Sequence, residues 1–393
     1  MRLDAVIAVL RGVADEGLAA DWDEVGLQVG DRTSDVESAV LCIDLTEAVL
    51  AEAVKAGAEL IVAYHPLLFR PVARLVGADW KQRVVAGCVR EGIAVYSPHT
   101  ALDAAVGGIN DWLCDGMAGA NAERVPIEGT ALGTLRKVVT FVPEDAVEAV
   151  RAAMSGAGAG CIGGYDQCSF SVSGEGTFRG GEGTSPAVGK AGRLERVAER
   201  RLEMVTPGSV VTAVIDAMRA AHPYEEVAFD VYALAAETAP PAMASGAGAG
   251  AGAGRVVTLP EPVTVDALAA RVREVLGVTN LDVAAPPPAA PPPSEAGGPN
   301  ERAWIERVGV CPGAGGSLVK AARALGADAF VTGEMRHHDV LDAAASGVAV
   351  VLAGHTETER PYLPVYRDRL AAATGDAVRW VISDADRPPA CRG

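Results

Sequence analysis

AVLCIDLTEAVLAEAVKAGAELIVAYHP, residues 39–66, decides the fold. Ala39–Asp44 is a short apolar run of the kind a buried strand makes, and Leu60–Tyr64 is a second. Between them Thr46–Gly57 predicts a helix, with Thr46 as its N-cap and Gly57 as its stop. The pattern continues outward. Leu3–Ala14 has helical spacing of its apolar residues, Trp80–Gly92 predicts a helix and Ile93–Ser97 a third strand. Short apolar strands separated by helices indicate a largely parallel sheet covered on both faces, so residues 1–133 read as α/β.

The next hundred residues change character. Lys137–Pro143 predicts a strand, Glu144–Gly156 a helix, and Gln167–Glu175 a half-exposed strand. Glu195–Val205 mixes charged and apolar residues, Val210–Ala221 predicts a helix and Val227–Leu234 a strand. That order suits a small α+β domain with a ferredoxin-like core over residues 135–235. Ala239–Gly254 ends in Gly-Ala alternation and Pro286–Asn300 is Pro-rich, so both are expected to be flexible surface connections. Thr264–Leu276 between them reads as a helix. Residues 304–393 return to α/β, with strands at Ile305–Cys311, Ala329–Thr332, Val348–Leu352 and Arg379–Ile382 and helices at Ser317–Gly326 and His338–Ser346. The expected organisation is one α/β domain, 1–133 and 255–393, split by an inserted domain.

Bulk properties narrow the function. The 393 residues are 49% apolar and 22% charged, a globular composition, and with only 5% aromatics the core must be mostly Ala, Val and Leu. A net charge of −17 repels phosphate backbones and anionic lipid, which argues against general nucleic-acid or membrane binding. A local basic pocket for a phosphorylated small molecule stays open. Seven scattered cysteines, Cys42, Cys88, Cys114, Cys161, Cys168, Cys311 and Cys391, form no CxxC and suggest reduced thiols. The amphipathic N-terminus lacks signal-peptide features, and no stretch reaches the ~20 apolar residues that span a bilayer. The expected location is the cytoplasm.

Chemistry collects at strand ends. His65 ends LIVAYHP, His99 follows IAVYSP, His337 and His338 follow AFVTGEM, and His355 follows VAVVLAG. In open α/β sheets ligands bind at the carboxyl ends of strands. One strand-end histidine is usually a surface or capping residue, but four such clusters can converge on one crevice. Asp103 lies four residues after His99, and Glu359 four after His355. Pro361 disfavours helix at Arg360, so His355–Glu359 is expected in a loop ahead of a helix. Imidazole with carboxylate suits Zn²⁺, Fe²⁺, Mn²⁺ or Co²⁺. The residue types leave two readings: a metal site, or hydrogen-bonded histidines lining a pocket.

At these residues the chain resembles the Nif-three-like family, also called GTP cyclohydrolase type 2 homologs. The matching segments are DWDEVGLQVG (21–30), YHPLLFRP (64–71), SPHTALDAAVGGINDWL (97–113), GVCPGAGGSL (309–318), TGEMRHHDVLDA (332–343) and AGHTETE (353–359). The resemblance implies a fold of two α/β halves, a toroidal homohexamer (a trimer of dimers) and a dinuclear metal centre between the halves. It maps the ligands to His65, Asp103, His355 and Glu359. Where the family often has two adjacent histidines this chain has Tyr64-His65, which puts the second of the one or two divalent metals in question. His99 and His338 match other family positions near the site and are carried over as candidates to support a ligand or touch substrate, while Glu334, Asp339 and His338 are available as an internal acid or base. KVVTFVPEDAVEAVRAAMSGAGAGCIGGYDQCSFSVSGEGTF and AHPYEEVAFDVY resemble the extra PII- and CutA-like domain of longer members, and in AHPYEE His222 is expected to serve a turn.

Two glycine-rich segments remain. GEGTFRGGEGTSP lacks the Lys-Ser/Thr of a phosphate loop and reads as a hairpin. In GVCPGAGGSL the backbone at Gly315, Gly316 and Ser317 either holds an anion or makes a tight turn with Ser317 as N-cap. Two function classes follow: a metal-dependent, cyclohydrolase-like hydrolase of a nucleotide-like or phosphorylated substrate, or a non-catalytic metal- or metabolite-binding regulator with the PII-like insert as sensor or lid.

Overall fold

A computed structural model describes residues 1–120, 122–129, 135–162, 165–181, 183–184, 187–234, 250–286 and 304–389. It divides into two compact units, Met1–Thr130 with Gly250–Gly393, and Ala131–Ala249. In chain order the first unit begins with β1 (Gly26–Val29), β2 (Ser38–Cys42), β3 (Leu60–Ala63), β4 (Ala94–Ser97) and β5 (Arg124–Gly129). The second unit holds β6 (Arg136–Pro143), β7 (Phe170–Arg179), β8 (Leu194–Thr206) and β9 (Phe229–Ala233). The first resumes with β10 (Gly252–Val263), β11 (Asp282–Ala284), β12 (Ile305–Cys311), β13 (Ala329–Thr332), β14 (Ala349–Leu352) and β15 (Arg379–Ile382).

The first unit contains two sheets. One has the order β1-β4-β3-β2-β15 and is parallel except for β1. Its strands β2, β3 and β4 are buried at every residue, which is why they appear in sequence as unbroken apolar runs. The helix Glu47–Ala56 starts as expected, with the Thr46 hydroxyl accepting the Val49 N–H at 3.4 Å, and stops where Gly57 turns left-handed at φ 63°. The other sheet has the order β11-β14-β13-β12-β10-β5, with β12, β13 and β14 parallel and the rest antiparallel. Val308, Val310, Val331 and Val351 pack one of its faces against the helix Val265–Leu276.

Three features depart from the sequence reading. The last strand, β15, leaves the second half and pairs in parallel with β2, Trp380 opposite Ala39, so the halves interlock. The Gly-Ala run does not remain a connection to its end, because Gly252–Gly254 already belong to β10; residues 235–249, like 287–300 of the Pro-rich stretch, lie outside the described residues. His355–Glu359 is one turn of α-helix rather than a loop. Pro361 lacks an N–H and tightens the chain into a 3₁₀ turn at Arg360–Tyr362, but it does not unwind the residues before it.

In the second unit the strand order is β7-β8-β6-β9, all antiparallel. The helices Val147–Gly156 and Val211–Ala221 bury Val150, Met154, Val214 and Met218 against Val138, Leu202 and Met204 of the sheet. In β8 buried Leu202 and Met204 alternate with Arg201 and Glu203 on the other face. Its charged composition is therefore that of a one-sided strand.

Candidate metal centre

Both sheets of the first unit deliver residues to one place from the carboxyl ends of their parallel strands. β2 leads to Asp44, β3 to Tyr64 and His65, and β4 to His99; β13 leads to Glu334, and β14 to His355 and Glu359. The helical turn at 355–359 sets His355 and Glu359 on one face, one turn apart. Glu359 is only 4% exposed, and its two oxygens face two imidazoles. His65 Nε2 lies 3.4 Å from Oε2, and His355 Nε2 lies 3.3 Å from Oε1. The three donor atoms fall within 4.8 Å of one another.

Each histidine is held from behind. His65 Nδ1 is 3.0 Å from Asp44 Oδ1, and His355 Nδ1 is 3.0 Å from Glu334 Oε1. A carboxylate on Nδ1 fixes the proton there and leaves Nε2 to face the centre, which is the arrangement metal-binding histidines adopt. Space is kept open as well. Gly313, at φ 66°, lies so close that a Cβ would stand 2.6 Å from Glu359 Oε1 and 3.3 Å from His355 Nε2. Buried Glu359 Oε2 has no hydrogen-bond partner. Convergent nitrogen and oxygen donors, an orphaned carboxylate oxygen and a gap a methyl would fill together fit a divalent cation.

Charge follows the geometry. Burial works to lower the His65 pKa, but the Asp44 carboxylate hydrogen-bonded to Nδ1 and the Glu359 carboxylate 3.4 Å from Nε2 reverse it, raising it to about 10. The Glu359 hydrogen bond leads in raising His355 to about 9. Burial raises Glu359, but the two imidazoles outweigh it and hold the carboxyl below its usual range. Without a metal, protons occupy the positions a cation would take.

Asp103 stands beside this triad, its carboxylate accepting the Tyr64 hydroxyl, and burial pushes its pKa up to about 6. Burial first, then the Asp103 and Glu359 charges, push Tyr64 well above its ordinary value, so it stays a phenol. The His99 ring is 5.5 Å from that of His65 and 5.8 Å from that of Tyr64, with Nδ1 2.8 Å from Asp23 Oδ2. His99 holds a left-handed φ of 27°, a strained value for a residue with a Cβ. His338 is not brought into this cluster; its ring contact is with His337. At the glycine segment, the Gly315 N–H is taken by the Thr332 hydroxyl at 3.0 Å, and a Cβ on Gly316 would lie 3.4 Å from an Asp339 oxygen. Ser317 is exposed and lines a cavity of about 870 Å³ with Lys320, Arg323, Glu334 and Arg336.

Four residues that sequence reasoning missed shape the site: Asp23, Asp44, Gly313 and Asp386. Asp44 and Asp386 have no histidine beside them in sequence, and their partners come from elsewhere in the fold. Asp23 and Gly313 sit inside the segments DWDEVGLQVG and GVCPGAGGSL, which gave a signal without a role.

Fold and site together define a two-sheet α/β protein with a histidine–carboxylate centre at its strand ends. The family model described as Duf34/NIF3 (NGG1p interacting factor 3) matches residues 1–389, and the chain belongs to that family. A Mycobacterium tuberculosis protein named GTP cyclohydrolase 1 type 2 homolog is 40% identical over 365 residues, covering 92% of this chain and 89% of that one. A Bacillus subtilis protein of the same name is 35% identical over 350 residues, covering 89% and 87%. A crystal structure of a Bacillus cereus protein related to NIF3 superposes with a TM-score of 0.72 at 32% identity, covering 100% of this chain and 99% of that one. Among the described residues no helix is long and apolar enough to cross a membrane.

Proposed function

We propose that this chain is a metal-dependent hydrolase of a nucleotide-like or otherwise phosphorylated small molecule. One observation carries the reading: two imidazoles, each backed by a carboxylate, aim Nε2 at opposite oxygens of one buried glutamate. His65, His355 and Glu359 would hold the first divalent ion, Zn, Fe, Mn or Co, and Asp103 would join when a second is present. Bound there, a cation lowers the pKa of water and polarises a carbonyl or phosphoryl oxygen. The cavity of about 870 Å³ shares Glu334 with this site and sets Lys320, Arg323 and Arg336, cations a phosphate could pair with, among the carboxylates of Glu334, Asp339 and Asp342. Asp103, raised to about 6, is the group best placed to exchange a proton near neutral pH.

The same proposal includes one tight and one weak metal position, because the neutral Tyr64 phenol supplies a poor donor where an imidazole would supply a good one. It includes a cytoplasmic homohexamer, which sedimentation of the purified chain tests. It also takes the second unit as an inserted ferredoxin-like domain: strand, helix, two strands, helix, strand, with the first strand between the last and the third. The regulatory alternative is favoured by a separate observation, a cavity of about 610 Å³ in that unit beside Phe141, Phe178, Glu199 and Tyr224. Turnover of a nucleotide panel with each added metal separates the two. Hydrolysis that His355→Ala abolishes supports the enzyme, whereas binding without turnover for every metal supports the regulator.

A further inference from the structure

The metal-facing residues come from two distant stretches of chain, and one buried carboxylate touches the backbone or side chain next to both. Asp386 lies just beyond β15, in the tail Ser383–Pro389, with its side chain 1% exposed. Its Oδ2 accepts the Ile43 N–H at 2.6 Å, and Oδ1 lies 3.4 Å from the Asp44 nitrogen. These two residues set the position of His65. The Ile43 carbonyl accepts the His65 N–H at 3.0 Å, and the Asp44 carboxylate holds the His65 ring. On its other side Asp386 takes the guanidinium of Arg360, the residue after Glu359. Arg360 Nη1 donates to Oδ2 and, at 3.0 Å, to the Asp386 carbonyl, while Nη2 donates to Oδ1 at 3.2 Å. The tail is itself fixed. The Asp384 and Ala385 N–H groups donate to Glu52 at 3.0 and 3.1 Å, and the Ser383 hydroxyl bonds both Glu52 and the Asp386 N–H.

We propose that Asp386 is a positioning residue of the metal centre, a clamp from the C-terminal tail that sets the spacing between His65 and Glu359. The inference rests on the reading of His65, His355 and Glu359 as metal ligands. Physically, the separation of donors about one cation must be held to a fraction of an ångström, and the two ligand-bearing segments share no strand pairing. An Arg–carboxylate fork is rigid in a way that a single bond is not. Both oxygens of Asp386 are engaged on both sides, so neither segment can shift without breaking a charge-assisted bond in a buried place.

The test is metal affinity of the full chain, measured by calorimetry with Zn²⁺ and by the visible absorption of the Co²⁺-loaded protein, alongside thermal melting. Asp386→Asn keeps size and one acceptor but loses the charge. It is expected to weaken the tight metal position about tenfold, at the low end of what outer residues contribute, and to alter the Co²⁺ bands. Asp44→Asn alone should weaken binding at least as much. Adding Asp386→Asn to it should weaken binding by less than the sum of the two single effects, because one arm of the clamp runs to the segment that carries Asp44. A merely structural aspartate would lower the melting temperature and leave metal affinity and Co²⁺ bands as in the wild type; that result overturns the proposal, as does full additivity of the two variants. Should Asp386→Asn fail to fold, Arg360→Gln removes the other half of the fork and is expected to weaken the metal similarly. A wild type that binds no divalent ion overturns the metal reading and this inference with it. A wild type that binds, with variants that bind equally well, overturns the clamp alone.

Discussion

His222 in the second unit and His65 in the first are both well enclosed, and both have a polar group facing each ring nitrogen, yet they are held in opposite ways. His222 Nε2 donates to the Phe141 carbonyl at 3.0 Å, and Nδ1 accepts the Tyr224 N–H at 3.2 Å. One acceptor and one donor from the backbone fit a neutral ring. Burial accordingly lowers the His222 pKa, more than the Phe141 carbonyl restores. His65 faces a carboxylate at each nitrogen and is driven to about 10. The first ring is finished and closes the turn of AHPYEE. The second carries an excess of negative charge around it, which a proton satisfies and which, on the proposed reading, a cation would satisfy in its place. A buried histidine is thus sorted by what its partners are, not by how many it has.

The largest expected effect breaks the comparison outright. His355→Ala should strip most metal from protein purified without chelator while leaving the fold intact, since strand-end loops carry sites and sheets carry stability. His222→Ala should leave metal content as in the wild type. Elemental analysis of the two variants decides, and equal occupancy in both would overturn the ligand set.

Next in size are the groups behind the rings. Asp44→Asn and Glu334→Gln should each weaken metal binding by roughly 10- to 100-fold, because each frees a ring to choose the wrong tautomer. Competition with a chromophoric chelator measures this. A Glu334→Gln variant with unchanged affinity would mean that its bond to His355 contributes nothing to the site.

A smaller effect sharpens the contrast within the site. Tyr64→His adds an imidazole where the phenol now bonds Asp103. It should strengthen the second metal position and leave the first almost unchanged, as read by calorimetric titration of metal-free protein. Two equally tight positions in the wild type would remove the basis for it.

The smallest effect concerns the closed ring. The folded pKa of His222 lies below the ordinary 6.5, so the unfolded chain binds more protons as pH falls. Its contribution to stability is complete above 6.5 and is lost below it, through the lowered folded value. Protonation puts a hydrogen on Nδ1 against the Tyr224 N–H. Between pH 7.5 and 5.5 the urea midpoint of the wild type should fall further than that of His222→Asn. Parallel pH dependence in the two proteins would refute the assignment.

The parts legible in sequence share a physical cause. β2, β3, β4 and β13 are short strands enclosed on both sides, and little but an apolar run can fill that place. The cap at Thr46 was readable because a hydroxyl just before an apolar-periodic segment has one good use, and it accepts the Val49 N–H. β1, β5 and β10 were illegible. β10 begins with glycines and contains Pro260, β5 contains Pro126, and composition of that kind argues for turns until a partner strand is known. The strand-end histidines were visible as a set, but of their backing acids only Glu334 was. Asp44, Asp23 and Asp386 meet His65, His99 and Arg360 across 21, 76 and 26 positions of chain, and no local spacing encodes such meetings. Glu334 was found because it sits in a segment already dense with histidines.

The antiparallel ladder between β5 and β10 sets Gly129 directly opposite Gly252. Paired residues of such a ladder lie about 5 Å apart. The chain therefore leaves and re-enters its first unit at nearly one point, and everything between is, for that unit, the loop of a hairpin. Loop-closure entropy rises only slowly with length, and a folded insert with neighbouring ends adds little to it. The seam behaves as a socket into which different cargo can be plugged. Exchanging residues 135–235 for a short glycine-rich turn should leave the first unit folded and soluble. Exchanging them for an unrelated domain with adjacent termini should turn the junction into a mount for a fluorescent reporter.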